Sequence, residues 1–173
     1  APQSFSNAGS KGAYTFFAMS ANSAISDVAI TSPIPGQVNI YPLMRNGELP
    51  NSSVLDEVFN ACNDDKIRPL TDTVIVGSPT VVPYSIVVNL TILNGSVDTD
   101  VITAVKANLE EYGESRKNKL GRDVVLDRIT AESMKAPQVY NVDIIEPQNT
   151  IVVAPNEVAK CSNVMVNIIG YSD

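Results

Sequence analysis

Histidine occurs nowhere in the 173 residues. Its absence removes Ser-His-Asp and Cys-His nucleophilic catalysis, histidine-ligated zinc and haem, and the imidazole pH switch. Tryptophan is missing too, and six tyrosines and four phenylalanines supply every aromatic ring. That is a poor endowment for a sugar-binding adhesive domain, which stacks its ligand on aromatic platforms. Basic residues are outnumbered, with 12 Lys and Arg against 19 Asp and Glu and a net charge of −7. A phosphate backbone is gripped by a local excess of cations, so nucleic acid is not an expected partner. No apolar run approaches the roughly 18 residues of a membrane span, so no membrane partner is expected. The opening residues, Ala1-Pro2-Gln3-Ser4-Phe5-Ser6-Asn7, carry neither the basic end nor the apolar stretch of a signal peptide. The chain also lacks an initiator methionine, which suggests a piece excised from something longer.

Cysteine is scarce, with Cys62 and Cys161 lying far apart, each beside an apolar segment. We read both as free thiols packed as small hydrophobes, which suits a reducing cytoplasm; a disulfide is the alternative. What the chain does have is an ordinary globular composition, 44% apolar and 18% charged, which argues against disorder. A chain of this length leaves roughly 30% of its unfolded surface exposed, so a sizeable core forms without metals or disulfides.

Hydrophobic patterning divides the chain into two α+β halves. Gly9-Ser10-Lys11-Gly12 reads as a flexible hinge before a helix carrying Ala13, Tyr14, Phe16, Phe17, Ala18 and Ala21. A strand over Ile25–Thr31 and a second bearing Val38 and Ile40 flank the Ser32-Pro33-Ile34-Pro35-Gly36 turn as a hairpin. Ser53 and Asp56 stand at capping-box spacing before a helix whose Val54, Leu55, Val58 and Cys62 recur at helical intervals. A strand over Asp72–Val76 closes this half. The second half holds the clearest alternation, Ile86, Val88, Leu90 and Ile92 against Val87, Asn89, Thr91 and Leu93. A helix over Asp98–Lys117 follows, acidic at its start and basic at its end, as the helix dipole favours. A shorter helix near Asp127–Met134 presents Ile129 and Met134 to the core. Strands over Gln138–Ile145, with Tyr140, Val142 and Ile144 on one face, and Asn163–Ile169 complete the half. Period-two patterns with one polar face suit antiparallel sheets covered by helices on one side. The expected fold is α+β, two small mainly antiparallel sheet-plus-helix subdomains, residues 1–79 and 80–173.

Candidate chemistry is sparse. Gly9-x-x-Gly12 lacks the longer glycine pattern, the lysine and the Ser or Thr of a phosphate-cradling loop. Asp64, Asp65 and Asp72 form the densest carboxylate set. They would serve a cation-binding or carboxylate-dependent hydrolase module only if they converged, and Lys66, Ile67 and Arg68 interrupt calcium-loop spacing. The basic cluster Arg116, Lys117, Lys119 and Arg122 is either a solvated helix end or a contact for an acidic partner surface. Asn89-Leu90-Thr91 matches a glycosylation pattern by coincidence, given its strand position. No catalytic, cofactor-binding or metal residue is assigned. Arg68-Pro69-Leu70-Thr71-Asp72-Thr73-Val74 is architectural: Pro69 stiffens the chain, Asp72 accepts turn N–H groups, and Arg68 adds a charge-assisted bond to Asp72. The segment reads as a joint between the two halves.

At that motif the sequence resembles the baseplate J-like family of contractile phage tails and related injection machines. The likeness rests on Arg68-Pro69-Leu70-Thr71-Asp72-Thr73-Val74-x-Val76, then Pro79, Val82 and Pro83 leading into the long strand. It continues through Gly121-Arg122, Val125, Leu126 and Ile129, through Val139 and Val142, and through Ile151-Val152-Val153-Ala154. Upstream, Gly12-Ala13-Tyr14 and Pro35-Gly36-Gln37-Val38 also look like family segments, whereas Asp127 departs from the small polar residue expected there. The match would correspond to the central and C-terminal portions of a longer protein. The resemblance implies a structural wedge subunit in a virion tail baseplate, assembled in the host cytoplasm, not an enzyme and with no cofactor. It implies a homo-oligomer in contact with other wedge, hub and sheath-proximal proteins.

Overall fold

The computed structural model describes residues 2–173, with side chains described from residue 11 onward. By internal contacts the chain resolves into two compact units. The first runs to Thr80 and adds Asn118–Gly121 and Ala154–Val158; the second comprises Val81–Lys117, Arg122–Val153 and Ala159–Asp173.

The first unit places two helices on a three-stranded sheet. Helix α1 spans Pro2–Ala21, so Gly9 and Gly12 lie inside a helix instead of hinging into one. Neighbouring helical residues satisfy the backbone there, and a glycine lowers helix propensity without ending the helix. Strand β1, Ile25–Thr31, pairs antiparallel with β2, Gln37–Met44. One extra residue, Ser26, interrupts their register, and its hydroxyl donates to the Met44 carbonyl at 3.1 Å. Helix α2, Ser52–Cys62, is capped by Asn51, whose Oδ1 accepts the Val54 N–H at 3.0 Å. The Ser53–Asp56 box is therefore not the cap; Asn51 lies in extended geometry at the position where a side-chain oxygen reaches the third helical N–H. Strand β3, Thr73–Val76, then joins β2 in parallel. Tyr14, Ala18, Ile25, Val38, Ile40, Val54, Val58, Cys62 and Val74 form the core. On the other face of β2, Gln37 Nε2 donates to Asn39 Oδ1 and Asn39 Nδ2 to the Tyr41 hydroxyl. The expected two-faced strand is thus a hydrogen-bonded polar ladder above and core below.

The second unit is built on the 14-residue strand β4, Thr80–Leu93, whose Tyr84, Ile86, Val88, Leu90 and Ile92 are all buried. Helices α3, Asp98–Lys117, and α4, Leu126–Met134, contribute Val101, Val105, Leu109, Tyr112 and Ile129 to the same core. Strand β5, Val139–Glu146, pairs antiparallel with β4; β6, Glu157–Ser172, flanks β4 on its other side. Partners along β4 and β6 rise together, Ser85 with Ser162, Asn89 with Asn167 and Asn94 with Ser172, so this pair is parallel. Both sheets are therefore mixed. The α+β architecture of two sheet-and-helix units stands, and antiparallel pairing holds for β1–β2 and β4–β5. Alternation reports which face a residue takes, not the direction of the next strand. Helix-containing crossovers from β2 to β3 and from β4 to β6 allow the parallel pairs.

Two expected core faces shift. Tyr140 is 56% exposed, whereas Val142 and Ile144 pack on the core. The register slips between Thr91–Asn141 and Ile92–Val139, leaving Tyr140 as the extra residue of a bulge. Met134 is exposed at the end of α4. Ser133 is buried in its place, its hydroxyl donating to the Ile129 carbonyl at 2.9 Å.

Candidate functional site

The Arg68–Asp72 bend lies within the first unit, between α2 and β3. It is not a joint between the halves. Its geometry follows from a turn after α2, in which the Ile67 and Arg68 N–H groups both donate to the Asp64 carbonyl. The Arg68 guanidinium then reaches forward to main-chain oxygens, with Nη1 donating to the Asp72 carbonyl at 2.8 Å and the Pro69 carbonyl at 3.3 Å. The expected bond to the Asp72 carboxylate is replaced by these carbonyl bonds. That carboxylate takes a different partner, accepting the Tyr14 hydroxyl at 2.8 Å.

Each aspartate of the expected carboxylate set has its own work. Asp64 Oδ1 accepts the Lys66 N–H at 2.8 Å, and Asp65, its side chain largely exposed, meets Arg68 at 3.5 Å. With Asp72 bound to Tyr14, the three do not converge, and the described residues hold no cluster of three potential metal ligands. The cation-binding hydrolase reading therefore fails on geometry.

Asp72 and Tyr14 also line a cleft of about 540 Å³ with Ile30, Pro35 and Val38 as apolar walls and Lys11 at its side. The bend is locked to the hairpin tip by the Thr73 N–H, which donates to the Gly36 carbonyl at 2.6 Å. Burial, the Asp72 hydrogen bond and the Asp72 charge all push the Tyr14 hydroxyl pKa up. Nearby in the same core, burial pushes the Cys62 thiol up to about 11 from an ordinary 9.0. A thiol held protonated stabilises the fold until the unfolded thiol begins to ionise. Stability is thus expected to be flat with respect to Cys62 below about pH 9 and to fall between pH 9 and 11. Urea titrations across that range should show a shallower fall for Cys62→Val than for the native chain. Equal slopes would rule out the thiol as a source of alkaline lability.

The four basic residues expected to form one patch have separate surroundings. Arg116 stacks over the Tyr112 ring at 5.1 Å and its Nη1 donates to the Asp123 carbonyl at 3.4 Å. Arg122 Nη1 donates to the Ser115 carbonyl at 3.3 Å, in the last turn of α3, where carbonyls lack helical partners, while Arg116 holds the loop that follows the helix. Lys117 pairs with Glu114 at 2.8 Å, and exposed Lys119 sits in the segment that clusters with the first unit. Arg116 also borders a groove of about 320 Å³ with Arg128, Glu132 and Lys135.

Asp27 escaped the sequence reading. Its Oδ2 accepts the Leu120 N–H at 2.9 Å, fastening Asn118–Gly121 to β1 within the first unit. No local signal marks it, because its partner lies 93 residues away.

Two family models match the chain: the Baseplate J-like central domain over residues 6–78 and the Baseplate J-like protein C-terminal domain over residues 84–167. The chain is 33% identical over 172 residues to baseplate protein J of Escherichia phage P2, covering 99% of this chain and 56% of that protein. It is also similar to a chain in the cryo-EM structure of the anti-feeding prophage baseplate, six-fold symmetrised. There the TM-score is 0.55 at 12% identity, over 85% of this chain and 36% of that one, a likeness of fold. The chain thus spans a little over half the length of the curated relative it matches, 56%.

Proposed function

This chain belongs to the baseplate J-like family, and from that premise we propose that it serves in a structural wedge subunit of a contractile-tail baseplate. It acts through protein–protein contact during tail assembly and contraction. Its partners in this reading are further copies of itself and other wedge, hub and sheath-proximal proteins. It assembles in the bacterial host cytoplasm and resides in the tail baseplate of the virion. The mechanism is conformational, with compact units rearranging so that contraction favours one set of interfaces over another. We place the junction of its two modules at residues 79/80, in the interval the two family models leave between 78 and 84. The observation that carries the proposal is the match of both models, in order, across residues 6–167. The bend agrees with it: the polar groups of Arg68 and Asp72 hold backbone and a neighbouring helix.

Partner contact through the basic residues is testable at Lys117 and Lys119. Arg116 and Arg122 are unsuitable because both hold backbone carbonyls. Reversing both lysines to glutamate replaces one partly exposed ion pair with a like-charge pair at the end of α3, a loss of about 1 kcal/mol, so folding should survive. In cells making tails without the native protein, complementation with Lys117→Glu/Lys119→Glu should give several-fold fewer complete baseplates than complementation with the native chain. Equal yields would take these lysines out of the contact surface. Complete baseplates formed with no complementing protein would overturn the proposed function itself.

A further inference from the structure

Helices α3 and α4 of the second unit are tied together at two points. The Val125 N–H, at the start of α4, donates to the Tyr112 hydroxyl at 3.1 Å, and Asn108 Nδ2 donates to the Glu132 carbonyl at 3.4 Å. The groove of about 320 Å³ is lined from both helices, and three cationic side chains border it: Arg116, Arg128 and Lys135. Against them stand two carboxylates, Glu111 and Glu132, so the groove is locally positive in a chain of net charge −7. Its charges are not evenly paired. Lys135 takes Glu132 at 2.6 Å. Arg116 and Arg128 form no ion pair among the described residues. Arg116 is nonetheless held in place, stacked on Tyr112 with its Nε donating to the Ser115 hydroxyl and its Nη1 to the Asp123 carbonyl. Its Nη2 has no hydrogen-bond partner among the described residues.

We propose that this groove is a docking site for an acidic segment of a partner protein, one whose adjacent Asp or Glu side chains place a carboxylate against each guanidinium. The proposal rests on the reading that the chain works through protein contact, and it adds the chemistry of one partner. Charge complementarity selects the occupant. A guanidinium presents a planar fork of N–H donors that matches a carboxylate, and charge-assisted bonds of this kind are about twice as strong as neutral ones. Arg116 is positioned before any ligand arrives, so little ordering entropy is lost there on binding. Arg128 is exposed and its charge is uncompensated within the chain. On an acidic molecule, such a groove is also where an approaching acidic segment meets the least repulsion. The groove's own carboxylates then decide between kinds of anion. A nucleic acid presents an unbroken run of phosphates and is gripped by several cations along its backbone. Exposed Glu111, itself without an ion pair among the described residues, repels such a run. A protein segment can set its acidic side chains against the two arginines and neutral residues against Glu111.

Chemical shifts of the arginine Nε–H groups, recorded on the purified chain at low salt, test it. The probe is a capped peptide with two adjacent glutamates among glycines and serines, and its glutamine counterpart is the control. The glutamate peptide should move the Arg116 and Arg128 signals with a dissociation constant on the order of 1 mM, leaving those of Arg45 and Arg68 in place. The glutamine peptide should move none of them. Arg128→Gln should weaken binding about 5-fold, the effect of one exposed ion pair. Lys106→Gln, on α3 but outside the groove, should leave it unchanged. No shifts, or equal shifts at every arginine, would overturn the site. A short oligothymidylate that moves the same two signals more strongly than the peptide would overturn the protein segment as its occupant. None of these results bears on whether the protein enters baseplates, which the complementation yields report separately.

Discussion

Alanine at Gly36 should lower the stability of the chain by about 2–3 kcal/mol, more than alanine at any open turn glycine. Gly36 has φ +79° at the tip of the β1–β2 hairpin, a conformation that costs an L side chain roughly 1–2 kcal/mol. It also stands against the bend. A Cβ there would come within 3.0 Å of the Thr71 carbonyl oxygen, which is backbone and has little room to yield. The Gly36 carbonyl meanwhile accepts the Thr73 N–H, the first bond leading into the parallel β2–β3 pairing. Pushing Thr71 away therefore strains the register of a four-residue edge strand. Gly95 separates the two effects. Its φ is +83°, yet a Cβ would meet nothing within 4 Å, so Gly95→Ala should cost only about 1 kcal/mol. Urea midpoints of the two variants measure the difference. Equal losses would show that the close approach of bend and hairpin adds nothing beyond backbone strain.

The second large effect belongs to Leu90. It lies at the centre of β4, fully buried, in the core formed with α3, α4 and the inward faces of β5 and β6. Truncation to alanine removes the transfer free energy of the lost carbons and leaves a void that a rigid sheet closes poorly. A loss of about 3–4 kcal/mol is expected. Val87, three residues earlier on β4, on the opposite face and half-buried, is the contrast. Val87→Ala should cost about 1 kcal/mol or less in a monomer. Comparable losses at the two positions would mean that the outer face is covered like the inner one.

Much of this architecture was legible because it is local. Ile25–Thr31 and Asp98–Lys117 form at the bounds their patterns indicated, since alternation and end charges act over a few residues. Illegible features are those decided by distant partners. Tyr14 finds Asp72 across 58 residues, and that bond determines where the Asp72 carboxylate points. The bulge at Tyr140 depends on pairing with β4 and reverses a face that alternation alone assigns to the core. A turn at Arg68 and Asp72 was legible, because proline and short polar side chains favour one. Their partners were not, because a guanidinium has several acceptors within reach and sequence spacing does not rank them.

Cryo-EM of tails purified from the host, at a resolution that resolves side chains, tests the proposed role most directly. The account predicts both units of this chain inside the baseplate, with the Arg68–Asp72 bend closed on Tyr14 and protein neighbours against their surfaces. Complete, contraction-competent tails whose baseplates contain no density for this chain would contradict it.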